Sequence, residues 1–204
     1  MTAAKKNTDS VSMIKLGSTA KLLRLPPGVR DEKSKKGGKK IKVISIVDLP
    51  EAGFIGKIKD TITLSASKLG SIKKYAIQPF DVLMSIQGTV GKVGVVPATV
   101  RGDVIANISL LAIRFNEDKQ DNAVALLQYL KSTPGRKLIA KLQKGTTIKR
   151  INVKEFAAVK VPALSADIKR QSKAVFDKEV KALEKINAMY ETLDEIRQSY
   201  LSKA

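Results

Sequence analysis

Lysine and arginine side chains beside glycine-rich turns are the groups in this chain best suited to chemistry, and the chemistry is phosphate binding. One group follows Arg30 and surrounds Gly37 and Gly38; it comprises Lys33, Lys35, Lys36, Lys39 and Lys40. A second group flanks the predicted turn Gly145-Thr146-Thr147 and comprises Lys144, Lys149 and Arg150. Such cations attract phosphate oxygens and release counterions, so we predict contacts to a nucleic-acid backbone. An ordinary solvated charge run remains an alternative for the first group.

Three further side chains suit contacts with base edges. Gln87 stands where an apolar strand meets a turn, and its amide can pair with adenine through two hydrogen bonds. Arg101 and Arg114 are candidates for guanine. Thr89 belongs to the same predicted binding surface as Gln87. Gly88, Thr89, Gly91 and Thr146 have a simpler interpretation as turn formers.

Catalysis is not indicated. The chain has no cysteine and no histidine, which excludes disulfides, thiolate or imidazole metal sites and the commonest general base. Asp48, Asp81 and Asp103 are scattered without metal-ligand spacing, so no metal site is expected, although a metal-dependent nuclease is a hypothesis to test. The segment from Gly88 to Lys92 lacks the spacing of a phosphate-binding P-loop.

Charge and composition divide the chain into a basic part and a near-neutral part. Residues 1–160 carry 30 Lys and Arg against 12 Asp and Glu, whereas residues 161–204 carry 8 against 7. With 43% hydrophobic residues the chain can form a core. We predict a disordered tail over 1–12, a domain over 13–163 and an assembly helix over 164–204. No membrane span and a cytoplasmic location are expected.

Apolar runs separated by glycines predict a mixed α+β domain whose sheet is mainly antiparallel. Predicted strands cover 41–47, 55–64, 82–86, 93–96 and 104–115, with the third and fourth joined as a hairpin. Predicted helices cover 123–130 and a second stretch that ends at Leu142. Residues 144–147 form a turn, and Pro162 ends the mixed part.

The last forty residues have helical periodicity with an apolar heptad seam. The seam comprises Val175, Ala182, Ile186, Met189, Leu193, Ile196 and Tyr200, with Ser172 and Glu179 at earlier seam positions. At 1.5 Å per residue the helix is roughly 55 Å long, which exceeds what a small domain covers. The seam favours pairing with another helix; packing on its own domain is the alternative.

Three segments, taken in order, resemble the target-recognition domain of type I restriction–modification specificity subunits. They are FDVLMSIQGTVGKVGVV (80–96), IANISLLAIRF (105–115) and STPGRKLIAKLQKGTTIKRINVKEFAAVKVP (132–162), and the long helix follows them. The resemblance covers residues 13–203. Phe80, Ile108 and Ile148 depart from the family pattern, which usually has glycine at the first position and polar residues at the others. The first departure suggests a differently shaped start of the strand.

The resemblance implies a sequence-specific subunit for double-stranded DNA without catalytic activity. A full specificity subunit has two recognition domains and two spacer helices, so this chain resembles a half-subunit. Two copies with antiparallel helices would recognise a split palindrome. The implied partner is an adenine-N6 methyltransferase subunit that uses S-adenosylmethionine, with a possible ATP- and Mg²⁺-dependent translocase–nuclease subunit. The cofactors bind those partners rather than this chain.

Sequence-specific contacts differ between members of such a family, so the unmatched segment 26–75, with Ser65, Ser67 and Lys68, is a further candidate for base recognition. The alternative function is a stand-alone basic nucleic-acid-binding protein, either architectural or RNA-binding. Aromatic residues make up only 4% of the chain, which provides few stacking platforms for single strands.

Overall fold

The structure is a computed structural model that describes residues 12–32 and 37–201. The predicted tail lies outside these residues except for Ser12, and so do Lys33, Lys35 and Lys36. The described strands are β1 (Met13–Lys15), β2 (Ala20–Leu23), β3 (Lys39–Ile44), β4 (Thr61–Leu64), β5 (Val82–Ser85), β6 (Val93–Val95), β7 (Val104–Ala106), β8 (Leu110–Phe115), β9 (Gln143–Lys144), β10 (Arg150–Ile151) and β11 (Lys160–Pro162). The described helices are α1 (Leu16–Thr19), α2 (Ala66–Ile72), α3 (Lys119–Lys131), α4 (Thr133–Leu142), α5 (Val153–Ala157) and α6 (Ala166–Leu201).

The central sheet has four antiparallel strands in the order β2-β8-β5-β6. It separates two apolar clusters, because alternate residues of a strand point to opposite faces. Val82 and Met84 pack with α3 on one face, whereas Leu83 packs with Ala112 and the second sheet on the other. A sheet covered on both faces explains why its strands are continuous apolar runs. The predicted α+β class with a mainly antiparallel sheet is confirmed.

A second sheet has the order β4-β3-β7, with β3 parallel to β7 and antiparallel to β4. The prediction of one strand over 104–115 is wrong, because β7 lies in this sheet and β8 in the central one. The chain turns at Asn107, whose side-chain oxygen accepts from the amide of Ser109 at 3.0 Å and whose carbonyl accepts from Leu110 at 2.8 Å. Asparagine favours such turns because its side chain replaces a backbone acceptor.

Two other strand boundaries differ from the prediction. β3 ends at Ile44, and Ile46–Asp48 forms a 3₁₀ turn. Ser45 and Asp48 cap this turn reciprocally, and Asp48 accepts from the Ser45 amide at 2.7 Å. Of the predicted strand 55–64, only Thr61–Leu64 is extended in a sheet. The short helix α2, which the sequence analysis did not predict, follows it.

The helices α3 and α4 confirm the two predicted helices and extend the first of them. The buried face of α3 includes Ala123, Leu126, Leu127 and Leu130, which pack against the central sheet. Ser132 caps α4 by accepting from the amide of Gly135. A side chain at Gly135 would overlap the backbone of Tyr129, so only glycine permits this tight corner.

The helix α6 has 36 residues, which corresponds to about 54 Å. Its first half packs on α3: Phe176 is buried and its ring lies 4.8 Å from that of Phe54, edge to face. Glu179 accepts a hydrogen bond of 2.9 Å from Gln128. The antiparallel pair β1–β11 closes the domain just before α6. The boundary at residue 163 remains a prediction. Within the described residues, no helix has the length and apolar character needed to cross a membrane.

Candidate nucleic-acid interface

The turn between β5 and β6 is organised by Ser85, a buried hydroxyl inside an otherwise apolar strand. Its oxygen donates to the carbonyl of Thr89 and accepts from the amide of Lys92 at 2.9 Å. Gly91 also donates from its amide to the Ser85 carbonyl at 2.9 Å. Gly88 and Gly91 have φ values of 78° and 94°, which glycine adopts freely. These contacts fix the positions of Gln87 and Thr89 at the end of the hairpin.

A second hairpin, β9–β10, packs edge to edge against this turn. The amide of Ile151 donates to Ile86 at 2.9 Å, and that of Gly88 donates to Lys149 at 3.1 Å. Gln87 and Arg150 form an antiparallel bridge. In the hairpin turn Gly145 has a φ of 100°, and a side chain there would overlap the carbonyl of Ile148. The two turns therefore form one surface.

This surface, called here the paired-turn surface, brings together seven of the predicted binding residues. They are Gln87, Thr89, Lys144, Thr146, Thr147, Lys149 and Arg150, with Gly145 between them as the turn residue. Residues 144–150 are all exposed, whereas Gln87 is half-buried. Lys144 forms an ion pair with Glu155, and the Lys144 side chain is 66% exposed. Solvated cations around a half-buried amide can bind a polyanion while the amide contacts a smaller polar group.

Arg24 orients the Gln87 amide. Its guanidinium donates to Gln87 Oε1 at 3.3 Å and to the carbonyl of Ile108 at 3.0 Å. Arg24 therefore connects the paired-turn surface to the Asn107 turn between the two sheets. The sequence analysis missed both Arg24 and Ser85. A lone serine within the strand VLMSI was a usable signal for Ser85, whereas the pairing of Arg24 with a residue 63 positions away leaves no local pattern.

Lys39, Lys40 and Arg101 lie elsewhere. Lys39 pairs with Asp103, and Arg101 donates to the carbonyls of Ala98 and Val100. These residues lie at the start of β3 and before the start of β7. The opposite end of β3, at Ile44, contacts Asn107, and the Asn107 turn is connected to the paired-turn surface through Arg24. The six-residue strand is about 17 Å long, so these cations form a separate basic region.

Arg114 has a structural role, and the prediction that it contacts guanine is wrong. Its guanidinium donates to both carboxylate oxygens of Asp81, at 2.8 and 2.7 Å, and to the carbonyl of Ala76. Asp81 is 1% exposed and Arg114 14% exposed. Asp81 also accepts from the amide of Gln78 at 2.8 Å. The pair anchors β8 to the start of β5.

The three acidic residues considered for a nuclease site each contact a different part of the protein. Asp48 caps a turn, Asp81 binds Arg114 and Asp103 pairs with Lys39. In the part of the chain that the structure describes, no three acidic side chains are grouped so as to hold a metal ion.

The segment 26–75, a further candidate for base recognition, contains side chains that contact one another. The hydroxyls of Ser65 and Ser67 lie 3.3 Å apart, and Lys68 pairs with Glu32 at 3.1 Å.

The predicted seam of α6 is exposed along the helix. Exposed fractions are 48% for Val175, 47% for Ile186, 67% for Met189, 44% for Leu193, 57% for Ile196 and 77% for Tyr200, and Ala182 is also exposed. The residues that pack on the domain are Ser172, Phe176, Glu179, Val180 and Leu183, the last against Gly53. At about 100° per residue, the two sets point in directions roughly 100° apart. Packing on α3 therefore leaves the seam uncovered.

Residues 14–187 match the family described as type I restriction modification DNA specificity domain. This match covers well over half of the chain. The chain belongs to this family.

Solved structures of specificity subunits have a similar fold. The S subunit of a type I system from M. genitalium aligns over 94% of this chain with 16% identity and a TM-score of 0.54. A structure of a type I system, described for its complex assembly and conformational transition, aligns over 92% with 18% identity and a TM-score of 0.57. The HsdS subunit of Thermoanaerobacter tengcongensis aligns over 87% with 15% identity and a TM-score of 0.50.

At these identities the structural likeness concerns the fold. The aligned part is 46%, 43% and 39% of those three chains, so this chain spans less than half of their length. No curated protein matches the sequence.

The three residues that depart from the family pattern, Phe80, Ile108 and Ile148, can each be located in the structure. Phe80 has a φ of 66°, in the left-handed region that glycine occupies without strain. Phe80 thus takes a conformation that the glycine usual at this position would adopt without strain, and a different shape at the start of the strand remains a prediction. Ile108 contributes its backbone carbonyl to Arg24, which needs no particular side chain. Ile148 is 49% exposed at the tip of the β9–β10 turn, where an apolar group replaces the usual polar one.

Proposed function

We propose that this chain is the sequence-specific double-stranded DNA recognition subunit of a type I restriction–modification complex. The observation that carries the proposal is the paired-turn surface, found within a domain of the specificity family. There, an amide held by Arg24 lies among exposed cations. Cations fix a protein on phosphates, and amides distinguish base edges in the major groove.

Within this proposal, Gln87 contacts a base and the exposed turn residues contact the backbone. The Arg24 guanidinium occupies one side of Oε1 and holds the amide plane, which lowers the entropy lost when the amide binds. Lys149, Arg150 and the threonines of the adjacent turn surround Gln87 and suit phosphate oxygens. Lys39, Lys40 and Arg101 would meet a different part of the duplex, since they lie about one strand length away.

The chain acts as a half-subunit that forms a homodimer through α6. The uncovered seam of α6 supports this, because six large apolar side chains on one helical stripe are stable in water only when another surface covers them. An isologous pair places two identical recognition domains in opposite orientations. The target is then an interrupted palindrome.

The residue pattern favours one register for the antiparallel pair. With Ile186 opposite Ile196 of a second copy, Met189 faces Leu193 and Ala182 faces Tyr200, so each layer is apolar and the largest residue meets the smallest. Shifting by one heptad towards a longer overlap would bring Glu179 opposite Ile196. Glu179 is half-buried and bonded to Gln128, which disfavours that shift.

This register makes the helix pair a spacer of defined length. The two-fold axis passes near Glu191, and the two Phe176 residues are about 45 Å apart along the helices. A duplex parallel to the pair would span that distance with about 13 base pairs. The half-site centres should therefore be separated by roughly this number.

Methylation and cleavage belong to partner subunits in this proposal. The chain would present DNA to an adenine-N6 methyltransferase subunit that binds S-adenosylmethionine and extrudes the target base from the stack. The role of this chain is the same whether or not an ATP- and Mg²⁺-dependent translocase–nuclease subunit joins the complex. The family membership supports assembly with other subunits of such a system.

The deciding experiment is enrichment of bound sequences from random 30-base-pair duplexes by the purified chain at about 0.15 M salt. The proposal expects an interrupted palindrome to be enriched and to bind at least a hundredfold more tightly than a scrambled duplex. Equal affinity for all duplexes would instead indicate an architectural protein. Preference for single-stranded RNA would indicate an RNA-binding protein.

A further inference from the structure

A second candidate binding feature shares the β5–β6 hairpin with the paired-turn surface. A cavity of about 370 Å³ opens between the β5–β6 turn and the corner of α3 and α4. Three cations line it: Lys92 from the hairpin, Lys131 from the end of α3 and Arg136 from α4. Glu51 provides the carboxylate of the lining. The apolar walls are Pro50, Val90, Val93, Leu130 and Ile139, and Gln143 lies where α4 meets β9.

Lys131 is the cation held most tightly in this cavity. Its ammonium group donates to the backbone carbonyl of Glu51. Burial lowers the pKa of Lys131, and Arg136 lowers it further, although Glu179 and Glu51 act in the opposite direction. A charge in a partly desolvated position costs stability, and such groups are common at functional sites.

The carboxylate of Glu51 is weakly held. Its nearest described cation is Lys92, at 3.6 Å, and the Glu51 side chain is 92% exposed. The screened attraction between such exposed groups is small. An incoming anion with stronger charge can therefore replace this carboxylate.

The surroundings of the cavity are strongly basic. Residues 122–154 contain no Asp or Glu but eight Lys and Arg. On α4, Arg136, Lys137 and Lys141 are exposed. The cavity is also close to Gln87, because Lys92 donates its amide to Ser85, two residues before Gln87 in the same hairpin. One duplex can thus reach both places.

We propose that this cavity binds a backbone phosphate of the duplex whose bases contact the paired-turn surface. Lys92, Lys131 and Arg136 hold the phosphate, which displaces the carboxylate of Glu51. The inference rests on the proposed function and adds a site to it. Binding there would fix how far the Gln87 amide enters the groove.

The test uses the full chain, a scrambled 30-base-pair duplex and the enriched target, with dissociation constants measured by fluorescence anisotropy between about 0.05 and 0.3 M salt. Arg136→Gln and Lys131→Met should each weaken binding to both duplexes by the same factor, about 3- to 10-fold, and reduce the salt slope by about one. Glu51→Gln should strengthen binding to both duplexes. Lys160→Gln, an equal charge change at an exposed position of β11, is the matched control.

The fold is checked by thermal unfolding, in which Lys131→Met should melt no lower than the wild type. Unchanged salt slopes for Arg136→Gln and Lys131→Met, with wild-type binding intact, would overturn this inference and leave the proposed function standing. A loss confined to the enriched target would also overturn it, because phosphate contacts do not depend on sequence. Failure of the wild-type chain to bind any duplex would overturn the proposed function itself.

Discussion

Gln87 combines the chemistry and the support that base recognition requires. Its amide is held by Arg24, Arg24 is held by the Ile108 carbonyl, and the turn beside it is closed by the buried hydroxyl of Ser85. An amide positioned in this way loses little conformational freedom on binding. The three contacts come from parts of the chain that are distant in sequence, so this site depends on the complete domain.

Gln87→Ala should reduce discrimination between target and scrambled duplexes by about 1–3 kcal/mol while leaving the scrambled affinity nearly unchanged. In the proposed binding mode, the Gln87 amide forms two hydrogen bonds with one base and none with phosphate. Competition anisotropy at fixed salt measures the ratio of the two dissociation constants, for the target and the scrambled duplex. Gln120→Ala, an exposed glutamine on α3, is the control. Equal weakening of both duplexes would argue against base contact by Gln87.

Arg114→Met should destabilise the fold by about 3–5 kcal/mol, because it leaves the buried Asp81 carboxylate without its partner. Urea denaturation measures this change. Arg101→Met is the control, since Arg101 is exposed and bonded only to nearby carbonyls. The double variant Asp81→Leu with Arg114→Met should recover much of the loss. A small effect of Arg114→Met alone would contradict the structural role.

At the scale of elements, α6 has two faces with different roles. One face belongs to the domain core through Phe176, and the other carries the uncovered seam, which starts at Val175 and continues to Tyr200. Packing on its own domain and pairing with another helix were alternatives from the sequence. The structure accommodates both, because the faces involved are roughly 100° apart.

A chain that ends at Lys185 should therefore be a folded monomer, whereas the full chain should be a dimer. A chain that ends at Ala163 should be less stable than either, since it removes Phe176 from its contact with Phe54; loss of a buried phenylalanine costs about 3–5 kcal/mol. Light scattering gives the masses and urea denaturation the stabilities. A dimeric Lys185 chain would contradict the role of the seam.

The register predicts which positions can be joined. The chain contains no cysteine, so introduced thiols are unique. A mixture of Met189→Cys and Leu193→Cys chains should form a disulfide-linked dimer on mild oxidation, and either variant alone should do so much less. Lys181→Cys mixed with Leu193→Cys is the control, because Lys181 lies off the seam. Efficient joining in the control would argue against this register.

Much of the fold followed from the sequence. The glycines of the β5–β6 turn and the run before Leu142 predicted elements that the structure contains. The boundary at Asn107 was missed because both flanking strands are apolar, and only tertiary pairing assigns them to different sheets. In the site, the turn residues were predicted as a group, since glycines, threonines and cations close together in sequence indicate a turn with exposed charges. Arg24 was missed, and Arg114 was predicted to contact guanine rather than Asp81, because the partners of both side chains are determined by the folded chain.

At the scale of the whole molecule, the domain and the helix are built for different tasks. The basic domain suits a polyanion, and the near-neutral helix suits another helix. In the proposed homodimer, two modest binding events would be linked into one, because the second half-site would be bound at a high effective concentration.

Truncation at Lys185 should consequently weaken binding to the intact palindrome by about 100-fold or more while preserving the affinity for a duplex with one half-site. Fluorescence anisotropy with two duplexes, the enriched palindrome and a duplex that contains one of its half-sites, measures both affinities. A palindrome with the gap changed by five base pairs should behave like a single half-site for the full chain. Insensitivity to the gap would indicate that the two domains bind independently.

The separation of the seam from the recognition turns also affects how new specificities can arise. Two chains that differ in the paired turns but share the residues from Ala182 to Tyr200 would form mixed dimers as readily as identical ones. Two genes would then yield three assemblies, two with palindromic targets and one with an asymmetric target. Changes in recognition could accumulate in one gene without any compensating change in the way subunits join.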